Sequence, residues 1–144
     1  MYSTSRIISV WLAVLSLVAL ACSDGADEAT TTAAPSNIEF GSGEIPDSVP
    51  EDFPMLDSAV ISSTLVNNDT GYTEMIVRMP AELGIAVQYY QSNLPTSGWE
   101  VTESSATSDT KWQLTATGFD TTVTIDFGVI GSQVTELVFT FEPI

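Results

Sequence analysis

The chain has 144 residues and carries 19 acidic side chains against 3 basic ones, with no histidine, for a formal net charge of −16. That balance excludes a nucleic-acid partner, because phosphate binding needs Lys and Arg, and anionic lipid head groups would repel it as well. A chain of this length is expected to hold one domain, and its single cysteine rules out a disulfide within it.

The first 21 residues follow the plan of a signal peptide. Arg6 supplies a positive start, the uncharged run "IISVWLAVLSLVAL" (Ile7 to Leu20) is the apolar centre, and Ala21 is a small residue before the junction. The run is short for a membrane span, which takes about 20 residues. The six residues "LVALAC" resemble the lipobox of bacterial lipoproteins, with Ala19 and Leu20 in the reverse of the commonest order. The resemblance implies that Cys22 receives a diacylglyceryl group and becomes the first residue of the mature chain. It also implies an extracytoplasmic protein anchored to the bacterial cell membrane. Each buried CH₂ contributes roughly 0.8 kcal/mol, so two or three acyl chains suffice for a stable anchor. Simple signal cleavage and a retained leader are the alternatives.

Residues 22–50 read as a tether rich in Ala, Thr, Ser, Gly, Pro and acids. Few large apolar side chains are available there to offset the entropy of ordering, and like charges extend such a segment. Towards its end, Ile45-Pro46, Val49-Pro50 and Phe53-Pro54 read as a docking edge, since a residue before Pro is pushed towards extended geometry.

Residues 51–144 read as a single domain. "AVISSTLV" (Ala59 to Val66) is a β-branched strand, "NNDTG" (Asn67 to Gly71) a turn, and Thr73 to Met79 a strand with Met75, Val77 and Met79 on one face. Pro80 is expected to open a helix, with Glu82 in its first turn. Leu83, Val87, Tyr90 and Leu94 then recur at helical spacing, and Pro95 and Gly98 are expected to end it. Four further strands follow. Trp99 to Glu103 starts them, then Trp112, Leu114 and Ala116 alternate inward after Lys111. Val123, Ile125 and Phe127 follow a three-residue loop, Gly118 to Asp120. Thr135, Leu137, Phe139 and Phe141 close the series. The expectation is an α+β two-layer fold: an antiparallel, twisted sheet of about six strands in the order ββαββββ, with one helix on one face. The segment "AVQYYQSNLPTSGWEV" resembles one found in small secreted domains of bacterial lipoproteins. There, a helix ending in an aromatic pair leads through Gly-Trp into a meander.

Chemistry is sparse. Without His or a second Cys there is no Ser-His-Asp or Cys-His arrangement and no N/S metal set, so neither cofactor nor metal is expected. Ser108-Asp109-Thr110-Lys111 fits S-x-x-K only formally, because it lacks the helix and companion motifs of the enzymes that use it. Asn67, Asn68, Asp69 and Asp120 are oxygen-bearing turn residues without the spacing of a calcium loop. By elimination, the expected function is a non-catalytic, membrane-anchored lipoprotein domain that binds a protein or another envelope component. The alternative is a carrier of a small apolar ligand, in a pocket between helix and sheet lined by Tyr90, Trp99, Trp112, Phe127 and Phe139.

Overall fold

A computed structural model describes residues 37–144. The leader, Cys22 and the first part of the tether lie outside the described residues. The elements are β1 (Ile38–Gly41), β2 (Val60–Asn67), β3 (Tyr72–Met79), α1 (Leu83–Thr96), β4 (Glu100–Ser108), β5 (Lys111–Gly118), β6 (Thr121–Gly131) and β7 (Val134–Pro143). All seven strands form one antiparallel sheet in the order β1-β2-β3-β7-β6-β5-β4. The fold is α+β, with one strand more than the sequence pattern predicts.

The extra strand, β1, lies inside the stretch expected to be tether. It is only "IEFG", too short to show a period, and it is exposed throughout. Its place is set by partners: Glu39 sits opposite Val66 and Gly41 opposite Thr64. The β2–β3 turn clamps it. The Asn68 amide N–H donates to the Asn37 carbonyl at 2.9 Å, and the Asn68 side chain donates to Glu39 Oε1 at 2.8 Å.

Alternation sets the faces. Met75, Val77 and Met79 on β3, Val123, Ile125 and Phe127 on β6, and Leu137, Phe139 and Phe141 on β7 are all buried, as the period of two requires. Helix α1 packs on this inner face over β4, β5, β6 and β7, through Ala86, Val87, Tyr90 and Leu94.

The rest of the inner face is covered by the segment between β1 and β2. Its sequence, I-P-D-S-V-P-E-D-F-P, sets an apolar residue before Pro at every fourth position. Two successive turns result, with the Val49 N–H donating to the Pro46 carbonyl and the Phe53 N–H to the Pro50 carbonyl, each at 2.9 Å. The repeat points Val49 and Phe53 inward, where both are 5% exposed. Ser48 shares a 2.7 Å hydrogen bond with Thr73, which satisfies one of the few buried polar groups. The domain boundary expected at residue 51 is therefore corrected towards the N-terminus, since both β1 and Val49 belong to the fold.

Local expectations around the helix also shift. Pro80 does not open it. Pro80 lies in a tight turn, in which the Ala81 N–H donates to the Met79 carbonyl at 2.8 Å, and the helix starts only after Glu82. The freed Ala81 carbonyl accepts from the fully buried Thr135 hydroxyl at 2.9 Å. At the other end Pro95 is inside the helix, and the stop comes from Gly98 at φ +87°. The Gly98 N–H reaches the Pro95 carbonyl at 3.3 Å and the Trp99 N–H reaches that of Leu94 at 3.0 Å. This pair of bonds is a Schellman closure, and it plants Trp99 against the helix end.

Two further differences concern the meander. The β5–β6 loop has two residues rather than three, because Gly118 pairs with Thr121. Its central residues, Phe119 and Asp120, have φ of 54° and 55°, the left-handed values of a type I′ hairpin turn. Strand β4 runs on to Ser108 as a bulged edge strand, with irregularities at Val101/Glu103 and Ala106/Ser108.

Candidate functional site

The five aromatic residues expected to line a ligand pocket do not face one cavity. Tyr90, Trp99, Phe127 and Phe139 are 0–2% exposed and pack ring against ring. Tyr90 lies 5.5 Å from Phe139 and 5.9 Å from Phe127. The space between them is taken by Phe53, whose ring centroid is 6.3 Å from Tyr90, 5.5 Å from Trp99 and from Phe139, and 5.0 Å from Phe141. Sequence reasoning placed Phe53 at the domain's margin. The four-residue repeat that carries Ile45, Val49 and Phe53 is the signal that could have revealed it. Burial pushes the Tyr90 phenol far above its ordinary value, and its O–H finds only the Met55 sulfur, at 3.9 Å. Of the five, Trp112 alone is half-buried, and it lines surface grooves instead.

The surface has two regions of interest. The first borders the Pro segment. One groove of about 520 Å³ lies between that segment and β1, with Phe40, Ile45, Thr64 and Val66 among its walls and Glu39, Glu44 and Asp47 beside them. A second of about 580 Å³ shares Ile45 to Ser48 and continues past Val49, Pro50 and Phe53 to Phe119, with Glu51 alongside. Phe40 is 78% exposed, on a strand that ends the sheet among the described residues. Among the described residues, no basic side chain lines either groove. Arg78 and Lys111 share a different cross-strand row, which runs Val60, Arg78, Glu136, Gly128, Lys111.

The two sheet edges differ. Edge strand β4 carries two bulges and only polar or small side chains along most of its length, devices that discourage pairing with another chain. Edge strand β1 is short, carries one acid, Glu39, and has no bulge in its pairing with β2.

The second region lies between α1 and the β4–β5 hairpin, a groove of about 460 Å³ walled by Leu83, Gly84, Val87, Ala106 and Trp112. The Trp112 indole N–H donates to Ser104 Oγ at 2.8 Å, and the Gln91 amide donates to the same oxygen at 2.9 Å.

The remaining motifs resolve into turns. Ser108 pairs with Lys111 across the β4–β5 turn, and the Ser108 hydroxyl accepts from the Thr110 N–H at 3.3 Å. Asn67 Oδ1 accepts from the Asp69 N–H at 3.0 Å, and Asp69 accepts from the Asn37 side chain at 3.4 Å. Among the described residues, no group of three or more His, Cys, Asp or Glu is placed to hold a metal ion, and no helix is long and apolar enough to cross a membrane. No protein-family model, curated protein or solved structure matches the chain.

Proposed function

We propose that this chain is a membrane-anchored lipoprotein, held by lipid on Cys22 outside the cytoplasmic membrane. Its domain works by binding a basic protein partner at the β1 edge. The observation that supports this reading is the exposed Phe40, on an unbulged edge strand beside grooves flanked by Glu39, Glu44, Asp47 and Glu51. An incoming extended segment adds main-chain hydrogen bonds to such an edge and seats alternate side chains in the adjoining grooves. Acids without neighbouring bases favour Lys and Arg on that segment, and they speed encounter at low salt.

Two measurements test the two halves of the proposal. For the anchor, mass spectrometry of the native protein should find a mature N-terminus at Cys22 carrying added lipid mass; that N-terminus without lipid would refute lipidation. For the binding role, a photo-crosslinking residue at position 40 should join the chain in intact cells to one dominant protein partner through a basic segment. That crosslink should fall steeply with salt. Diffuse, salt-independent labelling would sink the binding proposal and leave the anchor untouched.

A further inference from the structure

Helix α1 contains a glycine that the packing of the protein does not explain. Gly84 sits in its first turn, and Gly is a weaker helix former than Ala. A Cβ built there meets nothing within 4 Å, and its φ is not in the left-handed region. Neither sterics nor backbone geometry demands the glycine. Gly84 is exposed and lines the groove between α1 and the β4–β5 hairpin beside Leu83 and Val87, so a larger side chain there would have open space at the groove wall. Across the groove the same economy recurs, as Trp112 stands opposite the small Ala106 on the neighbouring strand.

The groove is preorganised. Ser104 takes hydrogen bonds from both Trp112 and Gln91, which ties the indole to the helix and fixes its orientation. With its N–H engaged, Trp112 has aromatic surface left to offer. Polar groups come from both walls: Gln91 keeps its carbonyl oxygen as an acceptor, and the β4–β5 turn adds Ser108 and Asp109.

From these walls we infer a second binding site, whose ligand is the neutral pyranose ring of a glycan. Such a ring has an apolar C–H face to lay on an indole and a rim of hydroxyls to meet carboxylate, amide and hydroxyl groups. The electron-rich face of Trp favours the first contact, and a few placed polar groups fix orientation in an otherwise apolar site. An acyl chain would make no use of the polar groups of Gln91, Ser108 and Asp109. An anionic sugar would meet Asp109 and the net charge of −16. The inference does not rest on the β1 edge, because the two sites share no residue.

The test is a titration of the ¹⁵N-labelled full chain with two probes, cellotetraose and tetra-N-acetylchitotetraose, following the indole N–H signals. The Trp112 and Trp11 signals are assigned by their loss in Trp112→Phe and Trp11→Phe, which leaves the third indole signal to Trp99. The expected result is a saturable shift of that signal with at least one tetraose, while Trp99 is unmoved. Gly84→Leu should weaken the binding by about tenfold or more. That variant fills the groove while improving helix propensity, so an unchanged Trp99 signal shows that the fold is intact. No saturable shift with either tetraose would overturn the inference, as would equal affinity in Gly84→Leu. A shift given by laurate and by neither sugar would also overturn it.

Discussion

Phe53 meets Phe139 edge-on, with ring centroids 5.5 Å apart and planes at 89°. One residue comes from a proline-punctuated connection and the other from a strand in the middle of the sheet. Their contact makes the segment after β1 part of the core. Phe53→Ala is accordingly expected to destabilise the domain by about 3–5 kcal/mol, as for other buried aromatic truncations. Urea denaturation gives the value, and a loss below about 1 kcal/mol would return the segment to the surface.

The β5–β6 turn and the helix stop offer a pair of glycine substitutions with opposite signs. Asp120 holds φ of 55° without being glycine, a conformation that disfavours side chains by roughly 1–2 kcal/mol. Asp120→Gly should stabilise by about 0.5–1 kcal/mol, once the added freedom of the unfolded chain is set against the relief. Gly98→Ala should do the reverse, since at φ +87° its Cβ would come within 3.2 Å of the Phe119 ring. Thermal melts of the two variants should move in opposite directions.

Tyr90 makes stability sensitive to alkali. In the unfolded chain its phenol ionises near 10.0, whereas burial keeps the proton on in the fold beyond that point. Above pH 10 the unfolded state then binds fewer protons than the native state, so stability falls as pH rises. Tyr90→Phe should leave neutral-pH stability nearly unchanged, because the O–H makes only a 3.9 Å contact to sulfur. It should flatten the decline above pH 10. The residual slope belongs to Tyr72 and Tyr89, both also raised first by burial and then by nearby carboxylates. Denaturation midpoints between pH 8 and 11 provide the measurement.

Charge repulsion should make the domain more stable in salt. Against a net charge of −16, the described residues hold the ion pair Arg78–Glu136 at 3.7 Å, with the Arg78 side chain 59% exposed. Such a pair contributes at most about 1 kcal/mol, so Arg78→Gln should change little. Raising salt from about 0.01 M to 1 M shortens the screening length from about 30 Å to 3 Å. The melting temperature should climb over that range, and a flat or falling profile would contradict the repulsion.

Much of the secondary structure was legible because its causes are local. Alternation named the buried faces of β3, β6 and β7 residue by residue, and helical spacing picked out Val87, Tyr90 and Leu94. The end of β4 was missed because Ser104 to Ser108 carry neither period nor hydrophobicity, and the strand is held there by pairing with β5. The expected ligand pocket failed for a related reason. Spacing shows that Tyr90, Trp99, Phe127 and Phe139 turn inward, but it cannot show that Phe53 arrives among them.

The sequence by itself determined which side chains leave water, through periods of two and of 3.6 that each element carries within a few residues. It also determined a strongly acidic molecule with almost no base to answer its acids. Only the tertiary structure decided what those buried side chains meet and which surfaces stay open. The placement of β1, the Phe53 plug and the groove beside Gly84 each depend on residues far apart in the chain. Such encounters are selected by the packing of the whole domain, where one ring can fill the space among four others.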